Sequence, residues 1–241
     1  MREGQGSGWG LGYTPWIRIQ DFASRGVVSR VKSRTTGRVH HLMSNNELAY
    51  FYLLDWSDDV TDIREQYPLS DLDCAVKIAA QAGIKYPADN DSGYPYVLTC
   101  DFMLTTADGA RARTLKMTTE LSNTRTLEKL EVERRYWAEK DIDWKIVTER
   151  EIPYQKAKNI EWLYTALDCE TADETIRNAM LQLLCDDECS VIEAAGAIEN
   201  EFFLAAGIGL QIFKQLVLNK AVAVDLESPL NLNTKGSVTR A

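Results

Sequence analysis

Three polar residues interrupt apolar segments of this sequence and have the types needed for phosphate chemistry. Glu47 lies in NNELAYFYLLDW, Asp101 interrupts the run VLTCDFML, and Lys116 lies in ARTLKMTT, across a short turn from Asp101. Two carboxylates can hold Mg²⁺, and an ammonium group can activate water and stabilise phosphate charge. A simpler interpretation also stands: an Asp within a strand is costly if buried alone, and Lys116 would then be its ordinary ion-pair partner.

The surrounding patterns predict the elements that must position these side chains. Ser44 is a suitable N-cap, and Glu47 follows it at the third helical position, which predicts a helix over 44–57. Alternating side chains predict strands over 96–106 and 112–121, joined by a turn at ADG. The other elements predicted before residue 155 are a β-prone segment over 27–44 with a turn at Gly37, an extended segment over 60–69, helices over 71–84 and 123–140, and a strand over 143–152. In the helix over 123–140, the predicted stripe is Leu127, Leu130, Arg134 and Trp137.

The sequence pattern changes after residue 155. Residues 156–241 read as a series of short amphipathic helices, followed by the segment AVAVDLESPLNLNT, which predicts a small β-hairpin. We therefore predict two domains, an α/β domain over 1–155 and a mainly helical domain over 156–241. The first domain begins with a basic arm over 1–44.

The charge is unevenly distributed between these parts. The net charge of -9 argues at first against a nucleic-acid binder, because neutralising phosphates requires clustered Lys and Arg. Residues 1–44, however, contain seven basic residues and two acidic ones. We predict that this arm follows a DNA backbone, and a solvated β-surface is the alternative. The candidate DNA contacts are Arg30, Lys32, Arg34 and Arg38.

The cysteines and apolar runs exclude several protein classes. Five cysteines without disulfide-framework spacing, and a start without an apolar core, predict a reducing, cytoplasmic location. Cys185 and Cys189 lack further ligands nearby, so thiols are favoured over a zinc site. The longest apolar stretch, FFLAAGIGLQIFKQLVL, is interrupted by polar residues and predicts a core helix, so no membrane association is expected.

The order of the polar residues matches a known nuclease pattern. A helical Glu, a strand Asp, a Lys on the adjacent strand and then a helix form the layout of a PD-(D/E)xK core, although the bare pattern is not specific. Two longer strings, NNELAYFYLLDWSDDVTDIREQYPL (45–69) and LEVERRYWAEKDIDWKIVTEREIP (130–153), resemble the TnsA family. Members of that family are the endonuclease subunits of heteromeric cut-and-paste transposases.

This resemblance implies a fold and a set of site residues. The fold implied is α/β, with a restriction-endonuclease-like (PD-(D/E)xK) core and a smaller, mainly helical, winged-helix-like C-terminal domain. Glu47 matches the helical active-site Glu, Asp101 the metal-bridging Asp, and Lys116 the catalytic Lys. Glu133 matches a further acidic residue near the site and is a possible metal ligand.

One position departs from the nuclease pattern. Thr114 stands two residues before Lys116, where related nucleases place Glu, Asp or Gln. A hydroxyl is a poorer metal ligand, so the backbone carbonyl of Leu115, or Glu133, has to complete the coordination. An alignment that uses Glu120 as the acid is less favoured, because Glu120 follows the lysine.

The resemblance also implies an activity and partners. The activity is Mg²⁺-dependent DNA cleavage at the 5′ ends of a transposon, with Mn²⁺ as a possible substitute. A TnsB-type transposase cuts and joins the 3′ ends, and a TnsC-type ATPase contacts the C-terminal domain. Thr114 motivates the alternative of a non-catalytic adaptor that scaffolds the transposition complex, and a solitary nuclease is a more distant option. Gln66 is expected either to contact the active site or to shape a turn.

Overall fold

The computed structural model describes residues 4–21, 27–186 and 188–240. The chain divides into two units, Met1–Ile152 and Pro153–Ala241, where the sequence predicts a boundary near residue 155. Among the described residues, no helix is long and apolar enough to cross a membrane. Each unit is described by itself below.

A four-stranded mixed sheet forms the centre of the first unit. The strands, numbered in chain order, are β3 (Val60–Pro68), β4 (Thr99–Thr106), β5 (Gly109–Leu115) and β6 (Asp143–Val147). They lie in the order β3-β4-β5-β6; the first two pairs are antiparallel, and β5 and β6 are parallel. β5 is shorter than the predicted strand over 112–121, because the chain turns into a 3-10 helix at Thr118–Ser122. Lys116 therefore follows the strand directly and is not in its middle.

Among the described residues of this unit, three α-helices accompany the sheet, and side-chain caps fix where each begins. They are α1 (Asn45–Trp56), α2 (Leu72–Gln81) and α3 (Thr124–Glu139). Their N-caps are Ser44, Asp71 and Asn123, and each side chain accepts a hydrogen bond from a backbone N–H of the first turn. Because a cap satisfies an otherwise unpaired donor, these residues mark the helix starts that the sequence predicts.

The apolar core of this unit lies between the sheet and the pair α2 and α3. Met103 of β4 and its cross-strand partner Ala112 of β5 pack with Tyr136 and Trp137 of α3. The neighbouring residue Phe102 is also buried, and its ring lies 6.0 Å from that of Tyr50 in α1. Since successive strand residues point to opposite faces, the sheet is covered on both sides.

The buried side of α3 differs from the predicted stripe. Leu130 and Trp137 are buried as expected, but Leu127 is exposed, and Arg134 pairs on the surface with Glu131. Glu133 lies on the buried side, at 5 % exposure. The predicted stripe is wrong at Leu127 and Arg134, and it does not include Glu133, because a carboxyl group can be buried when it is hydrogen-bonded.

The N-terminal arm forms a small antiparallel hairpin, β1 (Ser29–Lys32) with β2 (Val39–Leu42). Gly37 lies between the strands with φ 72°, a left-handed conformation that glycine adopts at no steric cost. This agrees with the turn predicted there.

The described residues of the second unit, 153–186 and 188–240, form four helices and a small sheet. They are α4 (Tyr154–Tyr164), α5 (Glu174–Leu184), α6 (Val191–Glu201) and α7 (Ile208–Leu218), and β7 (Val222–Val224) pairs antiparallel with β8 (Val238–Arg240). A Cβ on Gly209 would lie 2.5 Å from the carbonyl oxygen of Ala195. Gly209 therefore permits the close approach of α7 to α6. The two short strands are separated by a long loop, so the predicted hairpin over residues 221–234 is wrong in its second strand.

Candidate active site

One pocket of the first unit brings together the residues that the sequence singles out. Glu47, Asp101, Leu115 and Lys116 line a cavity of about 330 Å³ beside the start of α1, where β5 ends. They come from three separate elements, so their convergence is a consequence of the fold and not of sequence proximity. Glu120, from the 3-10 helix after β5, also lines this pocket.

Glu47 is held by the N-terminal cap of α1. The backbone N–H of Met43 donates to its Oε2 at 2.9 Å, and the Ser44 hydroxyl donates to its Oε1 at 3.1 Å. The side chain is 7 % exposed, at the edge of the pocket. Capping therefore fixes the carboxyl group in place and leaves it facing the cavity.

Asp101 lies on β4 and is held by the neighbouring strand. The backbone N–H of Leu115 donates to its Oδ2 at 2.6 Å. Burial raises the pKa of Asp101, and the nearby Lys116 ammonium opposes that rise. The simpler sequence interpretation makes Lys116 the ion-pair partner of Asp101. In the structure the Lys116 charge lowers the pKa of Asp101, but its Nζ bonds to the Leu115 carbonyl, and no direct ion pair joins the two side chains among the described residues.

Glu47 is disfavoured as a carboxylate by burial and by the neighbouring charge of Asp101. Burial raises the pKa of Glu47 to about 7, and the negative charge of Asp101 adds to the rise. Two carboxyl groups in such a relation are stabilised when a cation lies between them. Among the described residues, no group of three or more His, Cys, Asp or Glu side chains could hold a metal ion. A cation here would depend on these two carboxylates and on other oxygen atoms.

The backbone carbonyl of Leu115 supplies such an oxygen atom. It accepts a 2.8 Å hydrogen bond from Nζ of Lys116, whose side chain is half-buried at the pocket. Carboxylate and carbonyl oxygens are the ligands that Mg²⁺ prefers, and Mg²⁺ keeps several waters when few protein ligands are present. The donor set of the pocket therefore fits a hydrated magnesium ion.

Glu133 lies behind this pocket and is not among the residues that line it. The Thr114 hydroxyl and the Trp144 indole N–H both donate to its Oε2, at 2.6 and 3.3 Å. Burial raises the pKa of Glu133 to about 7 in spite of these hydrogen bonds. The role of Glu133 as a possible metal ligand stays a prediction; in this structure its carboxyl group bonds to Thr114 and Trp144 in the interior.

Gln66 contacts both pocket carboxylates, which the sequence left open. Its Nε2 lies 3.4 Å from Oε2 of Glu47 and 3.4 Å from Oδ1 of Asp101. The residue is 5 % exposed and has φ 49°, unusual for a non-glycine residue within a strand. The string REQYP places a polar Gln next to an apolar stretch, but its left-handed backbone could not be predicted from composition.

The four candidate DNA contacts do not share one environment. Arg30 and Lys32 are exposed and two apart on β1, so they share one side of the hairpin. Arg34 is half-buried, pairs with Asp58 at 3.8 Å and also bonds to Asp55. These three positions remain compatible with the prediction.

The prediction for Arg38 is corrected. This residue is 7 % exposed, and its guanidinium donates to Oε1 of Glu65 at 2.7 Å and to the carbonyl of Ile63 at 2.9 Å. Burial would raise the pKa of Glu65, but hydrogen bonds from Arg38 and His40 outweigh it and lower that pKa. Arg38 thus neutralises an interior carboxylate and is not a surface cation available to phosphate.

Comparison with known proteins places the chain in a family. Residues 57–149 match the TnsA-like endonuclease N-terminal family, and residues 151–226 match the TnsA endonuclease C-terminal family. The chain is 36 % identical over 241 residues to the Tn7 transposition protein TnsA of Escherichia coli, covering 97 % of this chain and 86 % of that protein. The chain therefore belongs to the TnsA family of transposition endonucleases.

Proposed function

We propose that this protein is a Mg²⁺-dependent DNA endonuclease that cleaves the 5′ ends of a transposon. The observation that carries the proposal is the convergence of Glu47, Asp101, Lys116 and the Leu115 carbonyl on one pocket. Two carboxylates, a carbonyl oxygen and an ammonium group are the protein components that phosphodiester hydrolysis with a divalent cation requires.

Glu47, Asp101 and the Leu115 carbonyl would hold the cation, and Mn²⁺ could replace Mg²⁺ because both take oxygen ligands. When bound, the cation acts as a Lewis acid on the phosphate and raises the acidity of water. Lys116 acts from the chain itself. Its ammonium, now on the Leu115 carbonyl, is close enough to the pocket to bond to a phosphate oxygen and to stabilise the charge that builds up during cleavage.

The proposal also includes the type of fold of each unit. A mixed sheet with helices on both sides and a carboxylate pair beside a strand end supports a restriction-endonuclease-like core. The second unit, four helices followed by a small antiparallel sheet, supports a winged-helix-like domain. A likeness of architecture alone does not assign function, so the proposal depends on the pocket.

The partners we propose are transposon-end DNA, a TnsB-type transposase that cuts the 3′ ends, and a TnsC-type ATPase that binds the C-terminal unit. The Escherichia coli relative is named as a transposition protein, which supports action within such an assembly. Residues 156–241 carry 13 acidic and seven basic residues. This excess of negative charge suits a basic protein surface and not DNA.

Cleavage of transposon-end DNA by the purified protein, with its transposase and ATPase partners and Mg²⁺, tests the proposal. We expect Asp101→Asn to abolish the 5′ nick and to leave 3′ cutting intact. Asp108→Asn is the matched control, because Asp108 lies in the turn after the same strand and is highly exposed. Equal 5′ cutting by wild type and Asp101→Asn would show that the site is wrongly assigned.

Thr114 is the observation that favours the second candidate, a non-catalytic adaptor. The position where related nucleases carry a ligand here bonds to Glu133 and is 2 % exposed. Calorimetric titration of the whole protein with Mn²⁺ separates the two functions. An adaptor predicts no saturable binding, whereas a nuclease predicts binding that Glu47→Ala removes.

A further inference from the structure

The side-chain amide of Gln66 contacts both carboxyl groups of the pocket. Its amide nitrogen is equally distant, 3.4 Å, from Oε2 of Glu47 and from Oδ1 of Asp101. Its carbonyl oxygen accepts a hydrogen bond from the Thr99 hydroxyl at 3.3 Å. Ionised carboxylates only accept hydrogen bonds, so they fix the NH₂ group as the end of the amide that faces them, and the Thr99 hydroxyl then holds the oxygen end.

The backbone of Gln66 is held in a costly conformation at this point. Glu65 and Tyr67 pair with Phe102 and Cys100, so Gln66 lies opposite Asp101 in the ladder. Its φ of 49° is left-handed, which costs a non-glycine residue free energy and persists only when the surroundings impose it. The Gln66 carbonyl accepts a hydrogen bond from the N–H of Trp16 at 3.3 Å, which helps to retain this conformation.

A neutral hydrogen-bond donor can contact two carboxylates without cancelling the charge with which they bind a cation. An Arg or Lys at this position would cancel their charge and compete with Mg²⁺ for them. An apolar side chain would leave the two carboxyl groups without a shared partner, and their repulsion would favour separation or protonation. An amide draws both groups to one point and leaves their negative charge available.

We propose that Gln66 is a positioning residue, whose amide holds Glu47 and Asp101 in the arrangement that binds the divalent cation. This role rests on the proposed function, since it requires the cation site in the pocket. Gln66 acts through the two carboxylates, and its own contribution is to reduce the reorganisation that binding costs. Partners of metal ligands typically change metal affinity by about 10–100-fold when they are removed.

Gln66→Gly separates the side chain from the backbone conformation. Glycine adopts φ 49° without strain, so the variant removes the amide and imposes no new backbone strain. The metal-free melting curve shows whether the variant is folded under the conditions of the binding measurement. Thr99→Val provides an independent perturbation, because it removes the hydrogen bond that orients the amide and leaves the strand sequence around Gln66 unchanged.

The matched control is Asp141→Gly. Asp141 also has a left-handed backbone, with φ 55°, and it follows α3, among residues that do not line the pocket. This substitution should relieve strain to a similar extent and leave the metal affinity unchanged. It therefore accounts for any effect of glycine on stability alone.

The measurement is Mn²⁺ binding to the full-length protein, by electron paramagnetic resonance and calorimetry, together with metal-free melting curves. We expect Gln66→Gly to weaken Mn²⁺ binding by about 10–100-fold, Thr99→Val to weaken it by a smaller factor, and Asp141→Gly to have no effect. Equal affinities of wild type and Gln66→Gly would overturn the role of Gln66 and leave the proposed function intact. A wild type that binds no Mn²⁺ would overturn both.

Discussion

The hydroxyl of Thr114 donates a 2.6 Å hydrogen bond to Oε2 of Glu133, which does not line the pocket. This contact ties the residue two positions before Lys116 to α3 and keeps a third carboxyl group in the interior. The Trp144 indole N–H donates to both partners, at 3.1 Å to Thr114 and 3.3 Å to Glu133. The cation site that we propose therefore has two carboxylates, with Glu133 in a supporting position.

Glu133→Gln should stabilise the protein at neutral and higher pH. The unfolded chain releases the Glu133 proton near pH 4.5, whereas burial raises the folded-state pKa to about 7. Stability associated with this group is therefore fully present below pH 4.5 and is lost as the pH rises through about 7. A Gln removes that loss and retains an acceptor for Thr114 and Trp144.

Chemical unfolding of wild type and Glu133→Gln at pH 5 and pH 8 measures this effect. The variant should gain free energy of unfolding, relative to wild type, between the two pH values. Glu128→Gln is the control on the same helix, because Glu128 is partly exposed and pairs with Arg125. A difference that stays constant between pH 5 and pH 8 would contradict an ionisable buried Glu133.

Lys116→Ala should lose cleavage and keep the cation. The ammonium bonds to the Leu115 carbonyl and is not itself a ligand, so its removal leaves Glu47, Asp101 and that carbonyl in place. We expect 5′ cleavage to fall by about 10²–10⁴-fold, as for other groups that act in the transition state. Single-turnover cleavage measures the activity, and Mn²⁺ titration measures the metal affinity. Lys145→Ala is the control, because the Lys145 side chain on β6 is exposed. Loss of metal binding in Lys116→Ala would refute this division of roles.

Site residues that are placed by contacts close in sequence can be predicted from the sequence, whereas those placed by distant contacts cannot. Glu47 and its cap are three residues apart, so a local pattern is enough to place it on a helix. Asp101 is also placed by a local pattern, because its strand and the turn that follows it are adjacent in the sequence. Gln66, by contrast, has a backbone conformation imposed by contacts with residues 16 and 101, which no local pattern encodes.

Buried charges were the main source of error in the sequence predictions. Arg38 was counted as a surface cation because its partner Glu65 lies 27 residues away and the pattern of the arm is basic throughout. Glu133 is absent from the predicted buried stripe of α3, because its hydrogen-bond partner Thr114 lies on a different element. In both cases a long-range hydrogen bond allows a polar residue to be buried, and the sequence carries no local mark of it.

Arg38→Ala should be strongly destabilising, in contrast to a surface substitution. It would leave Glu65, which is fully buried, without its bidentate partner, and breaking a buried pair from one side typically costs about 3–5 kcal/mol. Arg30→Ala, on the exposed side of the same hairpin, should change stability by less than about 0.5 kcal/mol. Equilibrium unfolding in urea compares the two, and a similar cost for both would indicate that the Arg38–Glu65 pair contributes little.

Removal of Arg30 and Lys32 together should weaken DNA binding in a salt-dependent manner. Both side chains are exposed on one side of β1, where they can approach neighbouring phosphates. Each phosphate contact contributes about 0.9 to the slope of log affinity against log salt, so the double variant should have a slope shallower by about 1.8. Fluorescence anisotropy with transposon-end duplex, between 50 and 200 mM salt, measures the slope for the assembled complex.

The double variant Arg125→Ala with Lys129→Ala, which removes two charges from α3, controls for net charge. A general loss of positive charge lowers affinity equally in both double variants. If the two slopes agree, the hairpin contributes no specific phosphate contact, and the basic character of the arm then serves only to solvate its surface.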